Sequence, residues 1–239
     1  MNATLFRLAL RRLLLRRRSV LLGLAPLLSA LVAVIQVAGG TADAEAFASL
    51  MEQLFLPLIL PFIALVIGSS ALGEERDDGT ILYLASTPLP RLAIVLPAIA
   101  AAALTTALVC LPGLLLTIVL STGDDLSATN AGWGIASVLV GAITYAAVFG
   151  ALSLRVKRPV VIGLIYVLFW EGSIATFAPS ARWLSLGAYA RAIVAGGLPS
   201  WTDQNVPAIG ALGAVAVLAA VTAASVLWCG RRLRRVELP

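Results

Sequence analysis

Gly73-Glu-Glu-Arg-Asp-Asp-Gly-Thr-Ile-Leu-Tyr-Leu-Ala-Ser-Thr-Pro-Leu-Pro-Arg91 is the one strongly polar block in an otherwise oily polypeptide. Five charges fall between Glu74 and Asp78, while the apolar runs on either side carry almost none. A charge at the centre of a bilayer costs at least about 2.5 kcal/mol on insertion scales. The block is therefore expected in water, between two membrane-spanning helices. Its second half, Thr80 to Ser86, reads as a short helix. Thr80 caps the first turn and Thr87-Pro88 stops it.

Outward from this block the composition is that of an integral membrane protein. Of 239 residues 60 % are hydrophobic and 12 % charged, with a mean hydropathy of +1.00. Soluble proteins carry roughly 25 % charged residues. The length holds about six helices of 20 residues with their loops. The chain is thus expected to be an all-α membrane protein with one transmembrane domain over residues 1–239.

Residues 1–18 hold Arg7, Arg11, Arg12, Arg16, Arg17 and Arg18, and Phe6, Leu10 and Leu13 share one helical face. This reads as an interfacial helix with arginines reaching lipid headgroups. Spans are expected at about 19–38, 54–72, 92–120, 133–154, 159–177 and 208–229. Residues 39–53, with Asp43, Glu45 and Glu52, read as a loop, and Pro57 and Pro61 as kinks in the second span. The third run, Leu92–Leu120, would reach about 43 Å, beyond the roughly 30 Å hydrocarbon core. It must tilt, kink at Pro97 or Pro112, or project. Pro159 suits the first turn of the fifth span. Between 178 and 207 repeated Pro and Gly leave apolar pieces too short to span. They read as half-inserted helices on the outer face, with Trp183, Tyr189 and Trp201 at headgroup level.

Positive charge sets the expected orientation. Six arginines precede the first span, Arg76 and Arg91 lie in the polar block, Arg155, Lys157 and Arg158 form a turn, and Arg231, Arg232, Arg234 and Arg235 follow the last span. Those fifteen of the 17 basic residues fall on one side, against Arg182 and Arg191 on the other. The positive-inside rule then puts both termini and the polar block in the cytoplasm.

The absences narrow the function. There is no histidine, and Lys157 has no glycine-rich loop before it, so the sequence carries no phosphate-binding P-loop. No paired carboxylates, nucleophile–base pair or metal cluster can be assembled, and neither a catalytic site nor a nucleic-acid role is expected. Cys110 and Cys229 read as plain packing.

Glu75-Arg76-x-x-Gly79-Thr80, followed by Leu84, Ser86-Thr87-Pro88 and Arg91, resembles the cytoplasmic loop after the second helix of ABC-2 type transporter permeases. It departs from that pattern at Ile81-Leu82, where an acid is frequent, and at Pro90, where a small polar residue is. The resemblance implies that the loop holds a coupling helix docked on an ATPase subunit. Glu74, Glu75, Arg76, Gly79, Thr80, Ile81, Leu82, Leu84 and Pro88 are then the coupling residues. It further implies an elbow helix at the N-terminus, a second permease copy or paralogue, and two ATPase subunits beneath that bind ATP and Mg; this chain itself binds no cofactor. An ATP-independent secondary transporter is the alternative, although no repeat between residues 19–120 and 133–229 supports it. A membrane scaffold or assembly factor is a third class.

One acid lies within an apolar span. Glu171 stands about 18 Å along the helix that begins at Pro159, just past the midplane. It is a candidate for the substrate path or for a proton-linked step. The reading preferred here is a structural carboxylate capping one of the outer half-helices, because the helix-breaking Gly172 follows at once.

Overall fold

The computed structural model describes residues 3–15, 17–40, 44–77, 92–122, 128–174, 179–196, 207 and 209–234. Among these every regular element is helical. In chain order they are α1 (Ala3–Leu14), α2 (Arg17–Leu22), α3 (Leu24–Ala38), α4 (Ala44–Leu50), α5 (Leu60–Asp77), α6 (Leu92–Thr122), α7 (Ala128–Ser153), α8 (Pro159–Ile165), α9 (Leu186–Ala195) and α10 (Gly210–Arg234). A π-helical stretch, Met51–Ile59, joins α4 to α5, and a second, Tyr166–Ile174, continues α8. A 3-10 turn at Pro179–Leu184 precedes α9.

Five described helices are long and apolar enough to cross a membrane: Arg17–Ala38, Ala46–Gly73, Leu92–Leu120, Ala131–Ser153 and Gly210–Leu233. The expected fifth span, 159–177, is not among them. Its described apolar helix, Pro159–Ser173, is shorter than the roughly 20 residues a crossing needs. Pro159 does take the first helical position after Arg158, where its missing N–H costs nothing.

The expected loop 39–53 proves to be helical from Ala44 onward. Its acids suggested water, but Phe47, Leu50 and Met51 recur at helical spacing and are buried. Burying them carries the helix through Glu52. Pro57 sits inside the π stretch, where the local break in α-helical bonding accommodates a residue that cannot donate. At its other end α5 runs past the apolar stretch to Asp77. Helix α6 stays helical through both Pro97 and Pro112.

The centre of the molecule is α5, α6 and α7 packed on one another, with α1 and α3 against α6, and α9 and α10 against α7. Phe47, Met51, Phe55, Leu60, Ile63, Tyr145 and Phe149 are fully buried there. Helix α1 packs along α6 with Leu13 buried, while Arg7 and Arg11 are exposed. Between α3 and α6 the backbones touch: a Cβ on Gly113 would overlap Pro26. One turn on, Ser29 Oγ and Thr117 Oγ1 share a hydrogen bond of 2.8 Å. Apolar lipid gives helices little reason to associate, so such seams rest on close packing and interhelical hydrogen bonds. Cys110 and Cys229 are free and buried.

Candidate functional site

The polar feature of the interior is built around Glu171, which is 1 % exposed. It lies in the second π stretch, where hydrogen bonds run from residue i to i+5 and residues five apart share a face. Tyr166 is five residues before it, and the Tyr166 hydroxyl donates to Glu171 Oε1 at 2.7 Å. The same spacing recurs in the Ser173 hydroxyl, which donates to the Leu168 carbonyl at 3.4 Å.

The remaining donors come from the start of α9. Ser185 is the N-cap, and its Oγ accepts from Ala188 N at 3.0 Å while donating to Glu171 Oε2 at 2.5 Å. Leu186 N donates to Oε1 at 3.0 Å, and Gly187 N reaches both oxygens at 3.3 and 3.2 Å. The carboxylate and the serine together thus take the first three backbone N–H groups of α9, which a helix leaves without internal partners. A negative charge there also complements the positive end of the helix dipole. Glycine at the second helical position leaves room for the carboxylate: a Cβ on Gly187 would stand 2.7 Å from Glu171 Oε2, so the carboxylate would have to shift.

Around this cap the walls are aromatic and tightly closed. Tyr145 stacks on Phe149 with centroids 5.8 Å apart, and Phe149 meets Tyr166 edge-on at 6.3 Å. The fully buried Tyr145 hydroxyl lies close to Gly187, beside the Glu171 carboxylate. Helix α9 is held from the other side by Ser137, whose hydroxyl donates to the Ala190 carbonyl at 2.7 Å. Chemically this is a caged carboxylate with its oxygens already occupied. Among the described residues no group of three or more metal-ligating side chains occurs.

A family model described as ABC-2 family transporter protein matches residues 13–178. The chain belongs to the ABC-2 transporter family. With its apolar helices this makes it a multi-pass membrane protein, a permease of the ABC transporter class. No curated protein matches the chain. The matched region of this ABC-2 protein includes Glu171, Tyr166 and Tyr145, and α9 lies beyond it.

Of the coupling residues named from the sequence, Glu74, Glu75 and Arg76 lie on the last turns of α5. Gly79, Thr80, Ile81, Leu82, Leu84 and Pro88 lie outside the described residues, as does the short helix expected over 80–86. Glu171 is found where the capping reading put it, at the N-terminus of a short helix.

In the segment after 178 two side chains read from the sequence as outer-face groups are buried against the protein. Tyr189 is buried against the protein, and its hydroxyl donates to the Trp183 carbonyl at 2.9 Å; Trp183 is exposed and Trp201 lies outside the described residues. Arg191, counted as an outer charge, is 4 % exposed and its Nε has no partner. Every residue of α9 from Leu186 to Val194 is buried. From the sequence, Ala190–Ala195 reads as a piece too short to span, and that short apolar run is the signal that this helix is packed inside.

Proposed function

We propose that this chain is the transmembrane permease subunit of an ATP-driven ABC exporter. It would form the translocation path and take its energy from a separate ATPase. The observation that carries this reading is the ABC-2 family match across residues 13–178. It is supported by the absence of a P-loop in the sequence, and in this reading ATP and Mg bind the partner. Two ATPase subunits and a second permease copy or paralogue complete the assembly.

In this proposal the segment 73–91 is the transmission element, presented by the charged end of α5. Residues 159–177 complete a sixth crossing, with Ala178 onward supplying the outer half-helices. Helix α1 acts as the elbow helix, and both termini face the cytoplasm of a bacterial cell, in line with the distribution of basic residues. Within the polar stretch, Ile81, Leu82 and Leu84 anchor the docked surface, and Glu74, Glu75 and Arg76 form its rim. Interfaces draw their energy from buried central anchors more than from rim charges.

The test is co-purification of an ABC ATPase with the wild-type chain and with Ile81→Asp/Leu84→Asp, in membranes where both are inserted. The wild type should retain the ATPase and the double variant should release it or lose ATP-driven transport. Full retention with wild-type transport would reduce the segment to a solvated connector. Absence of any ATPase from the wild type would favour a secondary transporter.

A further inference from the structure

The side of the bundle formed by α7, α8 with its π extension, and α10 contains an open groove of about 500 Å³ that the transport reading does not use. Val148, Leu152, Ile162, Tyr166 and Trp228 give it an apolar wall, and Arg155 is the one charged residue that lines it. Arg155, Lys157 and Arg158 are exposed in the turn between α7 and α8. Arg231 and Arg232, also exposed, follow Trp228 within one turn of α10. Among the residues that line the groove none is acidic.

We propose that this groove binds an anionic phospholipid, with one acyl chain along the apolar wall and the phosphate on the Arg155 guanidinium. The two halves of the site match the two halves of that molecule. Arginine presents a planar fork suited to phosphate oxygens. Tryptophan favours the headgroup level, where its ring is half in hydrocarbon and half in water. Basic pockets between spanning helices draw anionic headgroups by the same electrostatics. The alternatives fit less well. Free phosphate has no use for the apolar wall. A second copy of the chain, packed about a two-fold axis, would bring five like charges against these five. The inference rests on the membrane-spanning fold and not on ATPase coupling, so it stands or falls separately from the proposed function.

The experiment is native mass spectrometry of the full chain released from mild detergent with phosphatidylglycerol or phosphatidylcholine of equal chain length. Phosphatidylglycerol should be retained at least about fivefold better, the contribution of one basic side chain near a lipid surface. Arg155→Gln should abolish the preference and leave chain-length dependence intact. Ala224→Trp, which fills the groove, should weaken retention of both lipids; Ser225→Leu, a smaller intrusion on the same wall, serves if that variant does not accumulate. Equal retention of the two lipids by the wild type would overturn the proposal. So would an undiminished preference in Arg155→Gln, or competition by inorganic phosphate as effective as by the lipid.

Discussion

The Tyr166 hydroxyl and the Glu171 carboxylate meet at 2.7 Å, five residues apart on one helical face. In an α-helix these positions would diverge, because neighbours recur at three and four residues. The π stretch brings them together and aims the carboxylate at the start of α9. Local geometry in one helix thereby fixes the position of a second, short helix that would not be stable alone.

Glu171→Gln should therefore lower the melting temperature of the purified protein. The amide keeps one acceptor but turns an NH2 toward groups that are themselves donors. A hydrogen bond to a charged group is worth about 1.5–3 kcal/mol, and the loss here is expected to be at least that large. An unchanged melting temperature combined with reduced export would move Glu171 from the cap to the substrate path.

Gly187→Ala should destabilise the same junction by about 1–3 kcal/mol, the usual cost of forcing a group into a packed interior. Its Cβ would stand 2.7 Å from the carboxylate and 3.4 Å from the Tyr145 hydroxyl. Gly172→Ala is the control, since a Cβ there meets only the Val167 carbonyl at 3.5 Å. Equal melting temperatures for the two variants would mean that the carboxylate is not held where the cap requires.

The α3–α6 seam makes a third test. Gly113→Val should reduce the folded fraction recovered in mild detergent, measured by size-exclusion chromatography, because the new side chain has no space against Pro26. Ser29→Ala should matter less, since interhelical hydrogen bonds in membranes average about 0.6 kcal/mol. The reverse order would make the hydrogen bond, not the close approach, the organising contact.

Orientation is tested by labelling. Cysteines at Asp43, Asp124 and Asp203 should react from outside intact cells with an impermeant reagent, and Arg158→Cys should not. The native Cys110 and Cys229 are buried, so background should be low. Labelling of Arg158→Cys alone would invert the expected topology.

Within the polar stretch, anchors and rim should behave differently. Under the proposed docking, Leu84→Asp should impair ATPase retention, since replacing an apolar anchor that the docked partner buries costs about 1–3 kcal/mol. Under the same proposal Asp78→Asn, at the rim, should be nearly silent, because rim charge pairs are worth under about 1 kcal/mol. Equal effects of the two in the co-purification assay would remove the distinction between anchor and rim.

What the sequence determined by itself is what depends on local composition. Long apolar runs between polar blocks announce membrane-crossing helices, because hydrocarbon leaves backbone groups no partners but their own. Pro159 at a helix start and the resemblance around Gly79-Thr80 are equally local. Tertiary structure decided the rest. Phe47 and Met51 drew an apparent acidic loop into helix because the core offered them burial. The π register at 166–174 decided which side chains face Glu171, and no apolar periodicity in that stretch distinguishes π from α. The interior position of α9, with Tyr189 and Arg191 buried, follows from a carboxylate on a different helix that satisfies its first N–H groups. That contact joins residues fifteen apart in the chain, and only packing could bring its two ends together.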